Sequence, residues 1–198
     1  MLEAYAHMRR VMTALSPMGD ETWQQLLLCC KVIKKKKGAH LYPFAEVPKS
    51  YCFMHSGIAR LYACDDLGQE YNKRFFNDGQ FPGVMSALHL NESVEQGIEC
   101  LTDSELIEID FKLYRSVLFE NTELMAYQIK YLEKNWLLDK DQREILLVQQ
   151  DATARYLLFL NHSPELARAI PQYHLASHLG ISATQLSRIR KTLNFVNN

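Results

Sequence analysis

Two stretches of this chain carry residue types whose spacing could do chemistry. The first is residues 83–100, GVMSALHLNESVEQGIEC. A glycine opens it, a short helical segment follows, and an apolar, alternating run closes it. Such a layout can cradle a phosphate, because glycine lets the backbone approach an anion and exposed N–H groups can face it. An anionic phosphate in a partly dry site also needs a paired cation. This stretch has no Lys or Arg, and it holds Glu92, Glu95 and Glu99. It reads as a phosphate site, as a site that has lost its phosphate, or as a plain turn. The nearest basic side chains on strand-like segments are Arg60, Lys73 and Arg74. Any of them could meet an anion; for each, an outward, solvated side chain is the simpler account.

The second stretch is residues 170–193, IPQYHLASHLGISATQLSRIRKTL. Pro171 suits the first turn of a short helix. Leu175, Ala176 and Leu179 would form its inner face, and Gly180 would end it in a left-handed conformation. Ser182 can cap the next helix, whose inner face is Leu186, Ile189 and Leu193. Ala176 is small where two helices must approach closely. The pattern predicts a helix-turn-helix. The exposed face of its second helix would be Ser182, Ala183, Thr184, Gln185, Ser187, Arg188 and Lys191, a face that fits the major groove of double-stranded DNA. Beyond Glu165 the chain holds four basic residues (Arg168, Arg188, Arg190 and Lys191) and no acid, although the whole chain balances 22 Lys+Arg against 23 Asp+Glu. A basic end on an acidic body separates a nucleic-acid-binding part from the rest. A plain helical hairpin with a solvated basic face is the alternative.

These two stretches need different elements to hold them. Residues 1–30 read as helical, with Asp20 as an N-cap and Trp23, Leu26 and Leu27 at helical spacing. From about 31 to 110 the texture changes to short alternating runs broken by turn signals: Ser56-Gly57, DDLG, NDGQFPG and Thr102-Asp103. Several short strands at even spacing predict a β-barrel or sandwich. From Phe111 to about Gln150 there is no Gly and no Pro. Here Met125, Ile129, Leu132 and Trp136 recur at spacings of 4, 3 and 4, and Leu124, Tyr127, Tyr131 and Leu138 form a second stripe. A helix with two apolar stripes needs two apolar covers. One can be the barrel, and the other is most simply a partner helix. The alternative is that both faces are covered within one chain.

Bulk properties narrow the class. The 198 residues are 47% hydrophobic and 23% charged, enough for a buried core without staples. There is no membrane-length apolar run and no signal-peptide core at the N-terminus, so a cytoplasmic protein with no membrane partner is expected. The five cysteines, Cys29, Cys30, Cys52, Cys64 and Cys100, are irregularly spaced with no Cys-x-x-Cys pair, which argues for buried free thiols rather than zinc or iron–sulfur ligands. No His-x-His pair marks a metal-dependent barrel enzyme. His40, His55 and His89 are the histidines that could serve a haem, but a lone histidine is ordinarily a surface or satisfied core residue. The Lys34–Lys37 run could touch DNA or a membrane; a solvated strand face is the simpler reading.

The order of these parts resembles the Crp/Fnr family of bacterial transcription regulators over nearly the whole chain. GQFPGVMSALHL looks like that family's phosphate-binding cassette and GISATQLSRIRKTL like its recognition-helix segment. The resemblance implies an α+β fold: an N-terminal cyclic-nucleotide-binding-like β-barrel (jelly roll) over residues 1–120, a long dimerisation helix and hinge over 121–150, and a helix-turn-helix DNA-binding domain over 151–198. It implies a homodimer on double-stranded DNA, with RNA polymerase as a further partner and no catalytic or metal site. Met125, Ile129, Leu132 and Trp136 fall on the family's dimer seam, and Arg188 falls on its most persistent basic DNA contact.

The chain also departs from the pattern. Ala183 and Thr184 stand where members reading a guanine-rich half-site carry Arg and Glu, which predicts a different operator. In the cassette, Gly83 keeps its place. Val84 replaces the Glu that takes the ribose hydroxyl, Val94 replaces the Arg that neutralises the phosphate, and Glu95 follows. Gly83, Val84, Met85, Val94 and Glu95 therefore mark an effector pocket with its ligand groups replaced. Cyclic AMP and cyclic GMP are not expected to bind there in the usual manner, and no cofactor is implied beyond an unknown small-molecule effector. Asp139 and Lys140 fall where the family's long helix touches the purine, and surface charge is their simpler account. Only NFVNN follows Leu193, which leaves the family's β-hairpin wing missing or vestigial. Two readings remain: a dimeric, sequence-specific transcriptional regulator with a divergent effector pocket, or a ligand-binding or protein-interaction module with a decayed DNA-binding head.

Overall fold

The computed structural model describes residues 2–65, 67–138, 140–141 and 150–196, with side chains of the last helix to Leu193. Two helices, α1 (Leu2–Leu15) and α2 (Asp20–Leu27), precede β1 (Cys30–Lys35), β2 (His40–Tyr42), β3 (Ser50–Ser56), β4 (Ala59–Cys64) and β5 (Glu70–Phe76). A short α3 (Met85–Leu90) leads into β6 (Gln96–Cys100) and β7 (Ser104–Asp110), followed by α4 (Phe111–Glu120) and α5 (Thr122–Leu132). The carboxyl-terminal part holds α6 (Ala152–His162), α7 (Pro164–Ala169), α8 (Gln172–His178) and α9 (Ala183–Val196). Gly19, not Asp20, is the N-cap of α2; Asp20 sits in the first turn, where a negative charge still favours the helix N-terminus.

The strands form two antiparallel sheets, β1-β7-β3 and β2-β6-β4-β5. Only β4 and β5 pair as sequence neighbours. The turns read at Ser56-Gly57 and Thr102-Asp103 are corners at which the chain changes sheet, so the strand region is a two-sheet sandwich and not a closed barrel. Gly57 makes its corner with φ at +112°, and a side chain there would collide with Ser104.

Alternation along the strands builds two cores from one sheet. In β3, Cys52 and Met54 face the sandwich interior with Ala59, Leu61, Ile98 and Leu106. Tyr51 and Phe53 face the other way, against Met8, Met12, Leu26 and the buried side of α4 and α5. The lysine run is solvated at the end of β1 and just past it: Lys34, Lys36 and Lys37 are exposed, with Lys34 paired to Glu105 and Lys36 to Asp103, while Lys31 earlier in the strand pairs with Glu108. Among the five cysteines none is in a disulfide.

The two-stripe reading of the long helix holds in its first half. Leu124 and Tyr127 are buried and Tyr131 packs on the same core, while Ile129 is 57% exposed and Leu132 44%. Met125 is the exception in the outer stripe, half-covered by the core. From Glu133 to Leu138 the helix widens into a π-helical segment. The wider winding ends the phase of both stripes. Leu138, expected beside Tyr131, is 58% exposed, and Trp136 is half-exposed. Asp139 lies outside the described residues, as do residues 142–149 of the expected hinge.

Candidate functional site

The helix-turn-helix is built from local chemistry. The N–H of Ile181 donates to the carbonyl of Ala176 at 3.1 Å and that of Gly180 to Ser177 at 3.1 Å, with Gly180 at φ +69°. That pair of bonds closes α8 with a left-handed glycine. At the start of α9, the Gln185 N–H donates to Ser182 Oγ (3.1 Å) and the Ser182 N–H to Gln185 Oε1 (2.9 Å). This reciprocal cap satisfies two orphan donors. Leu186, 1% exposed, anchors α9 on Leu175 and Ala176, with Ile189 and Leu193 beside it. Ser182, Ala183, Thr184, Gln185, Ser187, Arg188 and Lys191 are all exposed. Ser182 and Gln185 are committed to one another in the cap, which leaves Ala183, Thr184, Ser187, Arg188 and Lys191 as the outward surface. The residues after Leu193, where the wing is expected to be missing or vestigial, continue α9 to Val196.

This head sits against the outer face of the four-stranded sheet. Arg60, 6% exposed, bonds Glu99 through Nε (2.7 Å), Glu70 through a terminal nitrogen (2.6 Å) and Asn72 Oδ1 (3.0 Å), with its guanidinium 4.4 Å from the Tyr62 ring centre. Burial works against its charge, but the hydrogen bonds it donates to Glu70 and Glu99 outweigh that and hold its pKa above the ordinary arginine value. Asn72 Nδ2 then donates to His174 Nδ1 (3.1 Å) and the His174 carbonyl (3.0 Å). The Asn72 N–H donates to Ser177 Oγ (3.0 Å), and His178 Nδ1 meets the Asn72 carbonyl (3.1 Å). Phe75 and Leu101 of the sandwich share a core with Tyr156, Leu166 and Ile170 of the head.

Gly83 is buried, and a side chain there would strike Tyr51. Val84 is 3% exposed inside the sandwich core, Val94 packs against that same core, and Glu95 is exposed. The positions at which the resemblance leads one to expect a ribose and a phosphate ligand are thus apolar wall or outside surface. A cavity of about 800 Å³ opens where the sandwich meets α3, α4 and α5. Of the expected pocket residues, Lys73, Arg74, Gly83 and Met85 line it; Arg60, Val84, Val94 and Glu95 do not. The reason for Arg60 is parity: Ala59 and Leu61 face the interior, so Arg60 faces out. A β-bulge produces the opposite result in β5. Leu61 pairs with Arg74 and Tyr62 with Asn72, which leaves Lys73 as the extra residue and turns Arg74 inward beside Phe76.

Sequence reasoning missed most of the cavity wall. Tyr51, Phe81, Tyr114, Arg115, Tyr127 and Tyr131 all line it. The density of aromatics in the stripe Tyr127–Tyr131 was the available signal, but aromatics at helical spacing read as core. Leu132 and Trp136, placed on the dimer seam, line it as well.

A two-sheet sandwich, a connecting helix and a helix-turn-helix head define the architecture. The sequence matches no family model and no curated protein sequence. Solved structures place the fold. The chain is similar to the c-di-GMP-responsive global regulator CLP of Xanthomonas campestris, with TM-score 0.70, 20% identity, and 90% of this chain and 93% of that one covered. It is similar to FixK2 of Bradyrhizobium japonicum (TM-score 0.69, 15% identity, 85% and 86% covered). It is also similar to a protein from Eubacterium rectale described as a transcriptional regulator of the crp/fnr family (TM-score 0.64, 16% identity, 90% and 84% covered). The chain has the Crp/Fnr-type regulator fold. Among the described residues no helix is long and apolar enough to cross a membrane.

Proposed function

We propose that this chain is a homodimeric, sequence-specific DNA-binding transcriptional regulator whose effector pocket is not built for cyclic AMP. The observation that carries the reading is the outward face of α9: an exposed, acid-free surface with Arg188 and Lys191, set on a helix-turn-helix whose turn and cap are both complete. Such a face suits the major groove, and the basic side chains suit guanine edges and phosphates. RNA polymerase is the natural further partner of a regulator so placed. The exposed Ile129, Leu132 and Trp136 support a seam between two copies. A symmetric pair would read a pseudo-palindrome with half-sites about 10 base pairs apart. The sandwich would act by population shift, with an occupant biasing α5 and hence the aim of the two heads.

The test is selection of bound sequences from random or genomic fragments by the purified full chain. Enrichment of a two-fold-symmetric motif, lost with Arg188→Ala, is the expected result. A motif that persists unchanged in that variant overturns the assignment of α9 as the reading helix. Titration calorimetry with cyclic AMP and cyclic GMP should give no saturable heat.

A further inference from the structure

The front of α9 has a side-chain chemistry of its own. Thr184, Ser187, Arg188 and Lys191 stand at i, i+3, i+4 and i+7, a stripe along the helix opposite the inner face of Leu186, Ile189 and Leu193. All four are exposed. Thr184 heads the stripe, and Ala183 stands beside it at the tip of the helix, exposed as well. Both side chains offer a methyl group. The one amide in the first two turns, Gln185, is held in the cap: its Oε1 accepts from the Ser182 N–H (2.9 Å) and from Ser182 Oγ (3.1 Å). An amide reads adenine by donating and accepting at once, and here the accepting atom is taken. Nor does α9 carry a carboxylate, the group that accepts from the cytosine amino group.

What remains at the tip is apolar. In the major groove thymine alone presents a methyl group, and the methyls of alanine and threonine suit it. Behind the tip, Arg188 offers a planar fork that fits O6 and N7 of one guanine, while Lys191, a point charge further along, suits a phosphate. Thr184 and Arg188 lie about 6 Å apart along the helix axis, close to two base-pair steps. We propose that Ala183 and Thr184 select thymine through its C5 methyl group, within about two base pairs of the guanine read by Arg188. The half-site is then marked by one directly read guanine and a methyl-bearing neighbour, not by a second hydrogen-bonded purine. The inference deepens the regulator reading above and rests on it.

The test alters the DNA and leaves the protein whole. The motif enriched by the full chain is synthesised with each thymine in turn replaced by deoxyuridine, which removes the methyl group and keeps the hydrogen-bonding edge. One or two positions in each half-site should lose about fourfold in affinity, as burial of one apolar carbon implies. They should neighbour the guanine at which 7-deazaguanine, lacking the N7 acceptor, weakens binding at least about fivefold. The double variant Ala183→Gly/Thr184→Ser removes both protein methyls and keeps the hydroxyl. It should bind the thymine and uracil forms within about twofold of one another, with cooperative urea unfolding as the control for folding. Gln185→Glu, which keeps an accepting oxygen for the cap, should leave the enriched motif unchanged. A motif whose thymines all tolerate uracil overturns the proposal, and so does uracil sensitivity that survives in the double variant. A base preference altered by Gln185→Glu would put that residue in the groove and overturn it too. Enrichment of no motif at all sinks the regulator and this inference with it; an enriched motif without methyl dependence sinks the inference alone.

Discussion

The sheet face around Arg60 and the helix face around Arg188 both present an arginine, and they treat it in opposite ways. Arg60 is enclosed by Glu70, Glu99 and Asn72 beneath the docked head. Its charge is spent within the molecule, where it orients Asn72 for His174. Arg188 stands on an exposed helix in a segment that contains no carboxylate. Both are arginines in regions that sequence alone offers for anion binding. The presence or absence of carboxylates delivered by other strands is what separates a structural guanidinium from one available to a partner.

Removing each arginine should sharpen that contrast. Arg60→Met leaves Glu99 and Glu70 facing a buried amide with no cation. Breaking such a pair costs about 3 kcal/mol, at the low end of the usual range because Glu70 is nearly half exposed. The measurement is the urea midpoint of the full chain. Adding Glu99→Gln should restore part of the loss, and no restoration would mean that Arg60 acts by packing alone. Arg188→Ala should leave that midpoint unchanged and weaken binding to the selected DNA by about 1–3 kcal/mol. A fall in stability there would erase the contrast. Between these faces, Ser182→Ala removes a cap and should cost about 1 kcal/mol of head stability, read by hydrogen exchange in α9.

The smallest effect is that of pH on the contact beside Arg60. Burial first, and then the Arg60 charge, lower the pKa of His174 from its ordinary 6.5. Glu70 and Glu99 act against that shift without reversing it. The neutral ring accepts from Asn72, so the folded state disfavours the extra proton. The contribution is complete above the ordinary value and is lost as pH falls through the depressed one. The urea midpoint should therefore drop on going from neutral to mildly acidic solution, and the drop should shrink in His174→Gln. His7 and His89 are depressed as well, so the difference between parent and variant is the quantity that counts.

What could be read from the chain tracks how local the determinants are. Gly180, Ser182 and the inner face Leu186–Ile189–Leu193 act within a few residues of one another, and the head follows from them directly. The run Lys34–Lys37 was legible as solvated because adjacent ammonium groups are too costly to bury together, and Lys34, Lys36 and Lys37 are exposed. Arg60 was half legible: the parity of Ala59 and Leu61 already turns it outward. Its carboxylate partners, however, come from β5 and β6, and no local rule supplies them. The bulge at Lys73 and the π-helical segment after Leu132 were not legible, since each inserts a residue's worth of phase that the sequence does not mark. The aromatic cavity was hidden for a related reason: a wall and a core use the same residues and differ only in whether the opposite side arrives.

The docked head has one more consequence. Strand β5 ends its sheet, and its outward N–H at Asn72 and carbonyls at Glu70 and Asn72 are met by Ser177 and His178 of α8. A bare strand edge is a template for another strand. The helix-turn-helix thus doubles as an edge guard for the sandwich, and a fragment cut before Ala152 would carry an adhesive margin with Phe75 beside it. Sedimentation of such a fragment should show self-association absent from the parent. Any movement that swings the head away from the sheet must re-cover those three backbone groups, with water or with another chain, and this ties the position of the head to the solubility of the sandwich.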